Sequence, residues 1–72
     1  MTRLTRALAM RIVMHEEIRG SGGGPTEDAR LSLLRRNMRT WSRARLFREA
    51  RATNAWRMAT AWNEDIEDLI DT

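Results

Sequence analysis

The residues whose types could support catalysis are few, and their spacing matches no catalytic arrangement. His15, Glu16 and Glu17 stand side by side and could supply a general base or a pair of metal ligands. The chain has no second His and no Cys, and the run lacks the His-Glu-x-x-His spacing of zinc peptidases. We therefore interpret His15 as an ordinary surface or boundary residue, and we predict no metal and no cofactor.

The glycine-rich segment and the serines complete no catalytic or nucleotide-binding motif either. The segment, residues 20–25, lacks the Gly-Lys-Ser/Thr ending of a phosphate-binding loop, and the chain contains no Lys. Ser21, Ser32 and Ser42 have no His and acidic residue arranged around them in a recognisable pattern. The sequence thus predicts a protein that is not an enzyme and has no small-molecule substrate.

Charge is distributed unevenly along the chain. All 13 basic residues are Arg, and the stretch from Arg30 to Arg57 holds nine of them with Glu49 as its one acid. From Glu64 to Asp71 there are five acids and no base. Exclusive use of Arg is typical of GC-rich genomes, such as those of many bacteria and phages. It equally suits bidentate contacts to phosphate or carboxylate groups.

Arg35, Arg36, Arg39 and Arg43 would gather on one side of a helix, away from its apolar residues. Such a stripe is often only a solvated surface. It could also lie along the phosphates of nucleic acid, where binding weakens as the salt concentration rises. Alternatively, it could meet carboxylates on a partner protein or on the acidic C-terminal end of a second copy. The sequence leaves these alternatives open.

Trp56, Arg57 and Met58 form the candidate partner-binding site. They lie within one helical turn at the flank of the apolar positions, and Trp, Met and Arg are enriched at protein interfaces and their energetic hot spots. We therefore predict that these three residues contact another protein. Trp41 and Trp62, by contrast, fall on the main apolar positions and are expected in the core.

Three segments must position these residues: an N-terminal arm (1–19), the glycine-rich loop (20–25) and a helical body (26–72), basic in its first half and acidic at its end. Gly24 suits a helix N-cap and Pro25 the first helical position. The arm's apolar residues mostly fall on even positions, the period of a strand, but its composition favours helix. A strand there would suggest a ribbon-helix-helix DNA-binding dimer.

A heptad pattern, which we call the seam, runs through the body. The residues on it that we predict to form the core or a dimer contact are Leu31, Leu34, Met38, Trp41, Ala55, Ala59, Trp62, Ile66 and Leu69. Arg45 and Arg48 occupy seam positions in the middle and interrupt it. Since Thr53 or Asn54 could cap a new helix, we favour two body helices over a single continuous one.

The predicted fold is therefore all-α: a helical hairpin or three-helix bundle with body helices at about 26–51 and 54–70. A chain of 72 residues buries only a modest core, so we also predict a homodimer with antiparallel bodies, in which Asp68 of one copy lies near Arg35 of the other.

No apolar run is long enough to span a bilayer, and the absence of Cys fits a reducing compartment, so we expect a cytoplasmic protein.

These observations together predict a small regulatory or adaptor protein that acts by binding another protein, such as an inhibitor of a larger bacterial or phage protein. The alternative is a nucleic-acid-binding protein that uses the Arg stripe. A third interpretation is a structural subunit of a larger assembly.

Overall fold

A computed structural model describes residues 3–21 and 27–70 of the chain. Within these ranges it consists of five α-helices and no strand: α1 (Arg6–Ser21), α2 (Glu27–Met38), α3 (Arg43–Arg51), α4 (Asn54–Trp62) and α5 (Ile66–Ile70). The prediction of an all-α chain with a helical arm is confirmed, and the ribbon-helix-helix alternative is wrong. The predicted helix start at Gly24 and Pro25 lies outside the described residues.

Helix α1 is the centre of the fold, because it contacts all four other helices. Leu8, Ala9 and Ile12 of α1 are buried, as is Leu4 just before it. A helix covered from several sides needs apolar residues around much of its circumference rather than along one stripe. This explains why the arm shows no clean helical periodicity in the sequence.

Thr5 fixes the beginning of α1. Its side-chain oxygen accepts a hydrogen bond from the backbone N–H of Leu8 at 3.2 Å, and its carbonyl oxygen accepts one from the N–H of Ala9 at 2.8 Å. A Thr hydroxyl in this position satisfies a backbone donor that the first helical turn leaves without a partner.

Residues 27–70 of the body form four helices, so the prediction of two body helices, and equally the alternative of one, is wrong. The chain turns at residues 39–42, 52–53 and 63–65. The long straight helices required for antiparallel pairing of two bodies are therefore absent from the described chain.

The turn at residues 39–42 is held by Arg6, a residue near the beginning of the chain. The guanidinium of Arg6 donates hydrogen bonds to the carbonyl oxygens of Trp41 at 2.9 Å, Met38 at 3.3 Å and Arg39 at 3.4 Å. The last carbonyl groups of a helix have no partners within it and carry partial negative charge, so a cation is favourable there. Arg6 thus stabilises the end of α2 and the turn into α3.

Two hydroxyl groups begin the next helices. Ser42 caps α3 by accepting from the N–H of Arg45 at 3.1 Å. Thr53 caps α4 by accepting from the N–H of Trp56 at 3.2 Å, and the same hydroxyl donates to the carbonyl oxygen of Ala50 at 2.7 Å. The expectation that Thr53 could cap a new helix is confirmed, and its burial makes it the connecting point between α3 and α4.

The last turn depends on Asn63 and Asp65. Asn63 adopts a left-handed conformation with φ of 54°, which Asn tolerates better than most residues, and the N–H of Glu64 donates to the carbonyl oxygen of Ala59 at 2.9 Å. The carboxylate of Asp65 then accepts from the N–H of Glu67 at 3.0 Å. These local contacts stop α4 and begin α5.

The core draws on α1 to α5. Its buried apolar residues are Leu4, Leu8, Ala9, Ile12, Met38, Leu46, Ala50, Ala55, Ala59 and Ile66. Leu46 lies off the seam and yet is fully buried, while Arg45 and Arg48, at seam positions, are exposed. The heptad count fails here because it was carried across turns that reorient each helix.

The seam itself is divided by these turns. Met38, Ala55, Ala59 and Ile66 are buried, and Leu31, Leu34, Trp41 and Leu69 are half-buried. Trp62, however, is 72% exposed in the single chain, so it lies outside this chain's own core, and its place in a dimer contact stays a prediction. It is the last residue of α4, and the chain turns at Asn63 immediately after it.

Candidate functional site

The residues singled out for chemistry lie on the central helix. His15, Glu16 and Glu17 are half-buried in α1, and a side-chain oxygen of Glu17 accepts from the guanidinium of Arg30 at 2.8 Å. The Nδ1 atom of His15 is buried and has no hydrogen-bond partner among the described residues. Within those residues, no group of three or more His, Cys, Asp or Glu side chains is placed to hold a metal ion. The geometry gives Glu17 a role in joining α1 to α2.

A shallow groove lies between the C-terminal end of α1 and one face of α4. Its lining, which defines the α4 groove, consists of Arg19, Asn54, Arg57, Met58, Ala61 and Trp62. Met58 is 47% exposed and Trp62 is 72% exposed, so the groove carries two large apolar side chains open to solvent. Arg19 and Arg57, both exposed, give it positive charge.

The α4 residues that line the groove lie on one face of the helix. Counting from Asn54, the groove residues of α4 recur at the third, fourth, seventh and eighth following positions, the spacing of one helix face. Ala55 and Ala59 lie on a different face of α4 and are buried in the core.

The predicted partner-binding site is divided between the groove and the core. Arg57 and Met58 line the α4 groove, whereas Trp56 is half-buried and packs against the core. Trp62, which sequence reasoning placed in the core, takes the exposed position that was expected for Trp56. The helical spacing from the Thr53 cap is the signal that could have grouped Trp62 with Met58.

The predicted Arg stripe is divided as well. Arg35 and Arg36 lie on α2, Arg39 lies in the turn that follows, and Arg43 is the first residue of α3. All four are exposed, but the turn at 39–42 separates Arg43 from the others. The stripe is therefore two shorter basic surfaces rather than one face of a continuous helix.

On α3 the arginines are ordered by aromatic rings, a feature that sequence reasoning missed. The Cζ atoms of Arg43 and Arg51 lie 5.0 and 5.7 Å from the ring centre of Phe47, and that of Arg45 lies 4.1 Å from the ring of Trp41. The spacing of four residues between Arg43, Phe47 and Arg51 could have revealed the first two contacts. We define the α3 arginine surface as Arg43, Arg45, Arg48 and Arg51, all of them exposed.

The acidic end of the chain finds a basic residue within the same chain. In α5, a carboxylate oxygen of Glu67 lies 3.5 Å from the guanidinium of Arg11 in α1, and both side chains are about half exposed. An exposed pair of this kind contributes only about 0–1 kcal/mol. It orients α5 on α1, and it shows that the acids need no second copy to meet a base.

None of the described helices combines the length and apolar character needed to cross a membrane. Comparison of the chain with protein-family models, with curated proteins and with solved structures found no match. The α4 groove and the α3 arginine surface are the two candidate binding sites of the described chain.

Proposed function

We propose that the chain is a small regulatory or adaptor protein that acts by docking another protein in the α4 groove. The observation that carries this proposal is the 72% exposure of Trp62 beside the half-exposed Met58. Burying a large apolar side chain yields about 1.5–3 kcal/mol, which a chain with a small core forgoes by leaving such residues in water. A partner that covers them would recover this free energy.

The chemistry of the groove supports binding rather than reaction. Its described lining offers two guanidinium groups, one amide and apolar side chains. Trp, Met and Arg are the residue types most often enriched where protein partners meet, and a Trp near the centre of a contact commonly dominates its affinity. Because Arg19 and Arg57 are both cationic, the groove suits a partner segment with an apolar anchor and acidic neighbours.

The homodimer stays a prediction, but its contact surface changes. Four seam residues are already buried by the chain's own helices, so the antiparallel seam no longer supports pairing. Trp62 is the most exposed of the large apolar side chains in the described chain, and a second copy would compete with other proteins for the α4 groove.

The proposal is tested by affinity capture from an extract of the source cells, with nuclease present so that nucleic acid cannot bridge proteins. The wild-type chain and Leu33→Ala should retain one common protein, and Trp62→Ala should lose it. Leu33 is a matched control because it is a large apolar side chain on α2, 57% exposed and outside the groove. Equal capture by Trp62→Ala and the wild type would contradict docking in the groove.

A further inference from the structure

We further propose that the α3 arginine surface binds the phosphate backbone of nucleic acid without reading its sequence. This surface shares no residue with the α4 groove, and it lies on a different helix. The inference is therefore independent of the proposed protein docking.

Positive charge is dense on α3. Four of its nine residues are exposed arginines, and Glu49 is its one acid. At a rise of about 1.5 Å per residue, these charges occupy roughly 14 Å of helix. Arg45, Arg48 and Arg51 follow one another at a spacing of one turn, where like charges repel, and Arg43 places a cation at the beginning of the helix, where it opposes the dipole. A polyanion along the surface would offset this cost.

Aromatic rings contact three of the four guanidinium groups of the α3 arginine surface. Phe47 and Trp41 are both half-buried, and each holds guanidinium carbon atoms within 4.1 to 5.7 Å of its ring centre. Contact with an aromatic face restricts a guanidinium while its in-plane N–H groups remain able to donate. Arg43, Arg45 and Arg51 are thus prepared for bidentate contacts to phosphate oxygens.

The regular spacing of phosphate charges favours nucleic acid over an acidic protein as the partner of this surface. Duplex DNA presents about one negative charge per 1.7 Å of its axis, so a single backbone can meet several guanidinium groups along α3. A folded protein would need an equally dense cluster of carboxylates. Since the rings of Phe47 and Trp41 already face arginines, they are not free platforms for bases, which favours phosphate contacts that carry no sequence information.

The experiment is a titration of a short labelled DNA duplex with the full chain, repeated between about 50 and 200 mM salt. The wild type should bind, and log Kd should rise linearly with log salt. The double variant Arg43→Ala/Arg51→Ala should reduce the slope by about 1.8, or roughly 0.9 for each lost phosphate contact. The matched control, Arg19→Ala/Arg57→Ala, removes the same charge from the α4 groove and should keep a slope near that of the wild type.

Three outcomes would overturn the proposal: no salt-dependent binding by the wild type, equal slopes for the two double variants, or competition by polyglutamate as strong as that by unlabelled duplex. The last result would assign the surface to an acidic protein.

If circular dichroism shows that the alanine variant loses helicity, Arg43→Lys/Arg51→Lys tests the proposal in its place, because it keeps the charge and removes the bidentate geometry. That variant should bind several-fold more weakly than the wild type, and equal affinity would contradict the role assigned to the stacked arginines.

Discussion

The guanidinium of Arg6 lies 2.9 Å from the carbonyl oxygen of Trp41, and this hydrogen bond joins the beginning of α1 to the turn between α2 and α3. The same group reaches the carbonyl oxygen of Met38, the last residue of α2. One side chain thus connects the central helix to the point where the basic part of the body changes direction. The α3 arginine surface depends on this turn, because the turn leads directly into α3, whose first residue is Arg43.

We expect Arg6→Ala to destabilise the chain by about 1–3 kcal/mol, since a hydrogen bond from a charged group contributes about 1.5–3 kcal/mol and the carbonyl oxygens would lose their donor. For a domain of this size, each kcal/mol lowers Tm by about 4–8 °C. Thermal unfolding followed by circular dichroism measures the change. Arg3→Ala removes an equal charge from an exposed position and should leave Tm almost unchanged. A similar Tm for both variants would mean that the Arg6 contacts contribute no net stability.

Thr53→Ala should destabilise the chain by about 1–2 kcal/mol, because it removes the cap of α4 together with the hydrogen bond to Ala50. Thr53→Ser should be much less destabilised than Thr53→Ala, since Ser caps helices as well as Thr does. Thr60→Ala is the control: this exposed hydroxyl donates only to the preceding helical turn, at the carbonyl oxygen of Trp56. Urea unfolding followed by Trp fluorescence reports the three values, and a cost for Thr60→Ala as large as that for Thr53→Ala would contradict the special role of Thr53.

Truncation of Trp56 should lower the free energy of unfolding more than truncation of Trp62 does, which is the reverse of what the heptad predicts. Trp56→Ala removes a half-buried side chain packed against the core and should cost about 2–3 kcal/mol, below the 3–5 kcal/mol typical of fully buried aromatics. Trp62→Ala changes an exposed residue and should alter the free energy of unfolding by less than about 0.5 kcal/mol. Urea unfolding of both variants gives the comparison. Greater destabilisation by Trp62→Ala would return Trp62 to the core.

Prediction from sequence worked where the determining contacts are local. The helical character of the chain follows from composition, and the Thr53 cap follows from a residue type placed beside an interruption of the seam. It failed where contacts join distant residues. Arg6 and Trp41 are 35 positions apart, so no periodicity could associate them.

The heptad failed for a related reason. A repeat describes neighbours only on a continuous helix, and the caps at Ser42, Thr53 and Asp65 each start a new one. Burial of Leu46 and exposure of Trp62 both follow from those interruptions. Part of the candidate site was nevertheless accessible from the sequence, because Arg57 and Met58 were chosen by residue type and do line the groove.

Self-association is tested by sedimentation equilibrium at micromolar concentration. If two copies pair, the exposed Trp62 should lie in their interface, so Trp62→Ala should shift the equilibrium toward monomer while Leu33→Ala should not. A wild-type chain that sediments as a monomer throughout this range would contradict the homodimer. Docking of a different protein in the α4 groove would be unaffected by that result.

Docking in the α4 groove is tested most directly by the Kd of the captured partner for the wild type, Trp62→Ala and Leu33→Ala, measured by titration of purified proteins. If Trp62 is the central contact, its truncation should cost at least about 2 kcal/mol, which raises Kd about 30-fold or more, while the helical circular-dichroism signal stays the same. Leu33→Ala should leave Kd within about twofold of the wild type, as expected for a residue outside the interface. A Kd for Trp62→Ala equal to that for Leu33→Ala would contradict the account.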